Sequence, residues 1–494
     1  MIVAGVGGGR RSAAAAVVRA GQLAGVCAQD RVTRSRDAGV KGSGLPDEAL
    51  DLLLGRLGLS RASVDRWIAA AGDGDVAPAP VEAVDHHFAH AATAFLTSPH
   101  TSAAVVVCDH DAPDVSVWIG EGAGLTRLPW PWAGAGFARL LSRCGTALGL
   151  TPSDVDRRLA ALAQLRPASR DARVDALITR PADGLAVPDD FDQQIRALAQ
   201  AEGAVPAALA ASIVARVADL LVAFLGEVRA RTGLSHLCLG GTLFYNASLN
   251  TRVKSCGLFS HVFVPPDPGD GGNAVGAALS ASPTRIESAS PFLGPSYSAH
   301  ETKEVLDNCK LQYEWVSEDG AIAAALKGIQ EGHLVGWFQG AMEWGPRALG
   351  ARSILANPQA PYVLENLNRF LKQRESWRGY AVSGLQEAVG AHFDGPADSP
   401  FMECEYVPRT PEMFRHLLPA PDAAIRVHTV ADDAHPMFRR LLDAQGQATG
   451  LPFLVNTSFN GFHEPIVCSP RDAVRVFYGS GLDLLVLNQF IIRK

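Results

Sequence analysis

The sequence predicts an α/β protein, and three observations carry that prediction. Short apolar runs bounded by turn residues alternate with stretches of helical periodicity along the chain. Hydrophobic residues make up 47% and charged residues 19%, a composition that folds around a core. At 494 residues the chain exceeds what one core usually supports, so more than one compact unit is expected. Leu45 to Leu59 reads as a helix with Pro46 near its start, and Val81 to Val84 and Ala103 to Cys108 read as strands. Ala208 to Arg231 places Ile213, Val217, Leu220, Leu221 and Phe224 at helical spacing, an amphipathic helix. Ser235 to Leu239 and His261 to Val264 read as strands, and Ala274 to Ser280 as a helix of small residues. A Ser- and Pro-rich stretch, Ala281 to Pro295, marks a boundary. Beyond it, His333 to Phe338 reads as a buried strand. No short repeat is visible, although a duplicated fold within residues 1–280 stays open.

Several function classes are disfavoured. A net charge of −7 lacks the basic face of a nucleic-acid binder. The N-terminus has no signal-peptide pattern, and no apolar run is expected to reach the length of a membrane span. Eight scattered cysteines without a C-x-x-C pair suit reduced core thiols in a cytoplasmic protein.

His86 and His90 stand four residues apart after a strand, so a helix would aim both rings to one side. Asp109 ends a strand, and Asp270 lies in a Gly/Pro-rich turn before a helix. Each alone is ordinary. Together they make an N₂O₂ set that suits Fe(II), Mn(II) or Zn(II). Gly240-Gly241-Thr242-Leu243-Phe244-Tyr245-Asn246 fits either a tight turn or a close backbone approach to a nucleotide. The loop Gln339-Gly340-Ala341-Met342-Glu343-Trp344-Gly345-Pro346-Arg347-Ala348-Leu349-Gly350-Ala351-Arg352 carries two guanidiniums suited to phosphate or carboxylate, or else to water at a surface turn. Asn368 to Arg378 holds four basic residues, which fits an anion site or a solvated helix face.

The Trp337 to Leu355 block resembles the F-Q-G-R-M-E-x-G-P-R-A-L-G-x-R-S-I-L signature of the ATP-dependent O-carbamoyltransferases, which include nodulation and antibiotic-tailoring enzymes. His86-His87-Phe88-Ala89-His90-Ala91, the strand-terminal Asp109, the Gly240–Asn246 segment and the turn at Asp270 are similar, in this order, to the family's N-terminal blocks. Lys372-Gln373-Arg374-Glu375-Ser376-Trp377-Arg378 resembles its K-x-R-E-x-[FW]-R. Arg426 falls in the counterpart of A-R-V-Q-T-V, and Ser458 and Asn460 in that of L-N-T-S-F-N. The resemblance implies a duplicated actin/sugar-kinase-like domain over residues 1–283, a linker over 284–295 and a YrdC-like α/β domain over 296–494. It implies that His86, His90, Asp109 and Asp270 hold one divalent transition metal, iron first, with His87 behind them. Arg347, Lys372, Arg374, Arg426, Ser458 and Asn460 would form a carbamoyl-adenylate from carbamoyl phosphate and Mg²⁺-ATP. Gly240, Gly241, Asn246, Asn250, Gly271, Arg10 and Arg352 would serve the nucleotide. The carbamoyl group would pass to a hydroxyl of a small secondary metabolite, with acceptor contacts in unmatched stretches such as Trp130 to Arg170. No nucleic-acid or membrane partner is implied, and the oligomeric state stays open.

Two turns depart from the family pattern. Gly7-Gly8-Gly9 leads into Arg10-Arg11 where the family has His-Asp, and Asp109-His110-Asp111-Ala112-Pro113-Asp114 replaces D-G-x-G-E. Arginines can pair with an anion but cannot act as neutral bases near pH 7. A second reading is therefore a non-transferring paralogue, acting as a nucleotide-binding partner subunit. A plain sugar-kinase-type phosphotransferase fits the C-terminal blocks poorly.

Overall fold

The computed structural model describes residues 1–9, 11–40, 42–71, 80–151, 155–166, 170–181, 183–281, 284–286, 290–432 and 434–494. Its first five strands are β1 (Ile2–Gly7), β2 (Ala14–Arg19), β3 (Gln22–Ala28), β4 (Arg66–Ala71) and β5 (Glu82–Asp85). They form one sheet in the order β3-β2-β1-β4-β5. The first three strands pair antiparallel, whereas β1-β4 and β4-β5 are parallel. A second sheet uses β6 (Ser102–Cys108), β7 (Val115–Glu121) and β8 (Gly124–Leu128). After a short pair, β9 (Ala133–Gly134) with β10 (Gly184–Leu185), it is completed by β11 (His236–Gly240) and β12 (His261–Phe263). Its order β8-β7-β6-β11-β12, with β6-β7-β8 antiparallel and the rest parallel, repeats that of the first sheet. The duplication expected for an actin/sugar-kinase-like domain is therefore present as topology.

A helix follows each sheet, and each packs across onto the other. His86–Leu96 leaves β5 and lies on β6 and β11, while Asn273–Ser280 follows β12 and lies on β1, β2 and β4. The two helices touch along small residues. A Cβ on Gly276 would fall 1.9 Å from the Ala89 carbonyl oxygen, so only glycine permits this crossing.

Pro206–Thr232 corrects one expectation. This 27-residue helix, with a window of mean hydropathy 2.1, is long and apolar enough to cross a membrane by length and composition. Ile213, Val217, Leu221 and Phe224 are buried with Phe137, Leu159 and Leu239 in the second half's core, so the apolar surface is spent inside the protein. Pro206 opens it, and Gly233 at φ +70° closes it in the left-handed conformation.

Among the described residues, no helix or strand lies between Ser280 and Ala299. From there on the strands are β13 (Glu314–Trp315), β14 (Val335–Phe338), β15 (Arg352–Ala356), β16 (Ala381–Leu385) and β17 (Phe393–Asp394). They continue as β18 (Cys404–Pro408), β19 (Ile425–Val430), β20 (Phe453–Ser458), β21 (Leu484–Leu487) and β22 (Phe490–Arg493). All ten join in one sheet ordered β13-β22-β21-β14-β15-β20-β16-β19-β18-β17. The loop singled out in the sequence joins β14 to β15. Its shape is fixed from within, because Glu343 Oε1 accepts from the backbone N–H of Leu349, Ala351 and Arg352 at 2.7, 2.8 and 3.0 Å.

Candidate functional site

The His86–Leu96 helix starts where the Asp85 side chain accepts from the Phe88 N–H, a cap that fixes the first turn. That turn carries His86 and His90, whose Nε2 atoms are 3.1 Å apart. Asp109, at the end of β6, places Oδ2 3.0 Å from His86 Nε2 and 3.5 Å from His90 Nε2. Asp270, in the turn Asp270–Gly272, places Oδ1 at 3.7 and 3.6 Å from the same atoms. Donors around a tetrahedral ion at 2.0–2.2 Å stand roughly 3.4 Å from one another, so this spacing fits one metal.

Surrounding bonds leave the facing lone pairs available. His90 Nδ1 donates to the Pro268 carbonyl at 3.0 Å, which turns Nε2 inward toward Asp109 and Asp270. Asp109 Oδ1 is held by the Thr242 N–H at 2.9 Å, so Oδ2 stays with the histidines. Asp270 Oδ1 is buried without a hydrogen-bond partner, an orphan acceptor that a cation would satisfy. Burial opposes charge on His90, but Asp109 and Asp270 outweigh it and lift the imidazole to about 10. Burial likewise opposes charge on Asp109, which His90 and His86 hold well below the usual carboxylate range. The cluster thus binds a positive charge strongly, and a metal ion would replace the proton. His87 points elsewhere: Nδ1 lies 2.7 Å from Ser116 Oγ, and burial with the His90 charge lowers the ring to about 4. Its ring nitrogens are thus taken up by Ser116 and the Asp111 carbonyl, away from the facing imidazoles and carboxylates.

A cavity of about 940 Å³ opens over this cluster, lined also by Gly8, Arg11, Thr242 and Asn246. A second, of about 570 Å³, is lined by Lys372, Arg374, Ser458, Asn460 and Gly271. Ser12, Arg36, Asp37, Arg157 and Tyr245 line both. In the second cavity, Lys372 Nζ donates to the Ser458 and Asn460 carbonyls at 2.7 and 3.0 Å and to the Asn460 side chain. Burial and the Arg374 charge push its pKa well down, while these oxygens favour the protonated form. Arg347 lines neither cavity, but its Nη2 donates at 3.2 Å to the carbonyl of Tyr245, which lines both. Burial, then Arg426 and Arg157, pushes Arg347 well below the usual guanidinium range. Arg426 reaches from β19 into the lining of the first cavity, with Nε 3.7 Å from a Glu405 carboxylate oxygen.

Four assignments made for the nucleotide side are corrected. Arg352 is fully buried and lines neither cavity; its guanidinium donates to the Gln339, Gly340, Ala351 and Pro295 carbonyls and lies 3.5 Å over the Phe338 ring. Asn250 is buried, and its amide donates to the Phe244 and Glu403 carbonyls. Gly241, at φ +99°, and Gly240 line neither cavity; a Cβ on Gly241 would fall 2.1 Å from the Cys108 carbonyl, so the pair serves strand–turn packing. Arg10 lies outside the described residues. Residues unmarked by sequence reasoning include Thr242, Arg157, Tyr245 and Glu405. Thr242 and Tyr245 stood in a block already singled out, whereas Arg157 and Glu405 carried no local signal.

The family model described as Carbamoyltransferase N-terminus matches residues 183–279, and that described as Carbamoyltransferase C-terminus matches residues 326–494. An uncharacterised protein of Synechocystis sp. is 31% identical over 468 residues, covering 83% of this chain and 76% of that protein. The chain belongs to the carbamoyltransferase family. Nodulation protein NolO of Bradyrhizobium diazoefficiens is 36% identical to this carbamoyltransferase-family chain over 280 residues, 54% of this chain and 50% of NolO. Among solved structures, component A of (R)-2-hydroxyglutaryl-CoA dehydratase from Acidaminococcus fermentans is 16% identical with a TM-score of 0.39, covering 57% of this chain and 97% of that one.

Proposed function

We propose that the protein is a two-domain O-carbamoyltransferase that activates carbamoyl phosphate with ATP and passes the carbamoyl group to a hydroxyl of a small molecule. Residues 1–283 would form the transfer domain and 296–494 the activating domain. The observation that carries this reading is the pair of adjoining cavities, one over His86, His90, Asp109 and Asp270, the other over Lys372, Arg374, Ser458 and Asn460.

In the second cavity, water would open carbamoyl phosphate to carbamate and phosphate. A carbamate oxygen would attack the α-phosphorus of Mg²⁺-ATP, forming carbamoyl-adenylate as pyrophosphate leaves. Lys372 and Arg374 would hold the phosphates, with Arg347 and Arg426 adding positive charge from the side of the first cavity and Ser458 and Asn460 fixing the Lys372 ammonium. Passage between adjoining cavities would shield the mixed anhydride from water. In the first cavity the acceptor oxygen would attack the carbamoyl carbon; its proton is lost and AMP leaves with the bridging oxygen. A divalent transition metal, iron first, held by His86, His90, Asp109 and Asp270 would supply Lewis acidity to the carbonyl or the acceptor hydroxyl.

The test is an assay of pyrophosphate and AMP from ATP, with and without carbamoyl phosphate. Pyrophosphate that depends on carbamoyl phosphate is expected. Nucleotide binding without turnover would return the chain to a partner-subunit reading, and release of ADP to a kinase-type one.

A further inference from the structure

One helix crosses the seam between the two cavities. Val155–Ala163 lies in the chain's first half, yet its middle and its C-terminal end are tied to the second. Arg158 pairs with Glu375 at 3.1 Å, and Gln164, just past the helix, donates its side-chain amide to Glu405. Glu405 also accepts from Ser248 at 2.5 Å, which ties a second helix of the first half to the same point. Arg157 immediately precedes the first of these ties and lines both cavities. Arg347 and Arg426 are within electrostatic reach of it, so three guanidiniums meet where the cavities meet. Tyr245 shares this wall, with its hydroxyl donated to Asp267 at 2.5 Å and its carbonyl accepting from Arg347. Three partly buried guanidiniums with Glu405 3.7 Å from one of them leave room for a further anion, and guanidinium geometry favours a phosphate.

We propose that Arg157 binds the phosphate of the nucleotide intermediate as it moves from the second cavity to the first, making the seam an anion-selective passage. The inference rests on the carbamoyl-adenylate reading above. The ligand class is a nucleoside 5′-phosphoric mixed anhydride, which keeps one negative charge on the phosphate that links nucleoside and acyl group. A helix pinned at Arg158, the residue beside it, and again at Gln164 keeps the guanidinium facing the passage, and the charge retains the intermediate while uncharged solutes gain nothing there.

The full chain is tested in a single turnover with carbamoyl phosphate and ATP labelled at the α-phosphate, followed by rapid desalting. The quantity read is nucleotide label retained on the protein per pyrophosphate released. Wild type should retain most of its label at low salt and less as salt rises. Arg157→Ala should lower the ratio about tenfold or more, the scale of one lost charge-assisted contact, and Arg157→Lys should restore part of it. An equal ratio in wild type and Arg157→Ala overturns the passage role while leaving the adenylate reading intact. If Arg157→Ala releases no pyrophosphate, Arg157→Gln carries the same measurement. If neither releases any, Arg157 belongs to adenylate formation and the passage role is overturned. Absence of pyrophosphate from wild type removes the adenylate reading, and this inference with it.

Discussion

The cluster at His86 and the seam around Arg347 both bury charge, and they balance it in opposite ways. At the first, two imidazoles face two carboxylates, and the charged forms of His90 and Asp109 favour each other even without a ligand. At the second, guanidiniums from three separate segments face one another, and burial adds to their repulsion. A self-complementary cluster can exist before its ligand arrives and then trade a proton for a cation. A cluster of like charges is strained until an anion enters, so its ligand contributes to its order. That difference gives the two ends of the molecule separate tests.

The largest effect is expected from breaking the self-complementary cluster. His86→Ala with His90→Ala should remove one bound transition metal per chain, seen by elemental analysis. Transfer should fall by more than the roughly 10–100-fold typical of losing a group behind a metal ligand. Equal metal in wild type and the double variant would show that these imidazoles are not ligands. The second cavity is broken next by Lys372→Ala, with pyrophosphate release expected to drop on the order of 10²-fold, as for one preorganised contact.

Arg352 sharpens the contrast, since its charge is met by carbonyl dipoles, the Phe338 ring and the Glu343 carboxylate and not by a ligand. Arg352→Met should destabilise the protein by about 3 kcal/mol or more, because several buried carbonyls lose their donors together. A lowered unfolding midpoint with no selective change in nucleotide affinity is the expected outcome. A selective loss of nucleotide binding would put Arg352 back at the ligand.

The smallest effect concerns a group outside both regions. His428 is buried beside Ser383 Oγ at 2.9 Å, and burial lowers it from 6.5 to about 3. The native state keeps the ring neutral, whereas the unfolded chain takes up a proton below 6.5. Stability should therefore fall as pH drops from about 6.5 toward 3, by on the order of 3 kcal/mol at pH 4. His428→Gln keeps an amide in place of the ring and should flatten this slope in denaturant titrations from pH 7 to 4. An unchanged slope would place the acid sensitivity elsewhere.

What the sequence made legible follows from how far each feature reaches. Two histidines four apart on a helix, with aspartates ending a strand and opening a turn, are local patterns, and the structure brings all four together. The repeated strand order was not legible. Pairing needs alternation of apolar residues and not identity, so Ile2–Gly7 and Ser102–Cys108 occupy equivalent places without matching. Arg347 and Arg352 lie on one loop with similar flanking residues, yet one reaches the seam and the other is sealed beneath carbonyls. Only the tertiary partners distinguish them. Arg157 was invisible because its meaning depends on Glu375 and Glu405, more than two hundred residues away. Pro206–Thr232 misled through its composition, since a helix enclosed by core looks like one enclosed by lipid.

The exchange of helices between the two five-stranded sheets sets an order in time. The face of the β1 sheet that Asn273–Ser280 covers has no lid until the ribosome has made residue 280, although its last strand ends at Asp85. For almost two hundred residues of synthesis, the nascent first half must wait with apolar surface exposed, which invites chaperone capture. The last residue of the His/Asp cluster, Asp270, emerges just before that lid. Closure of the sheet and completion of the cluster thus fall at nearly the same moment, and an ion available then would favour the closed chain over its half-made precursor.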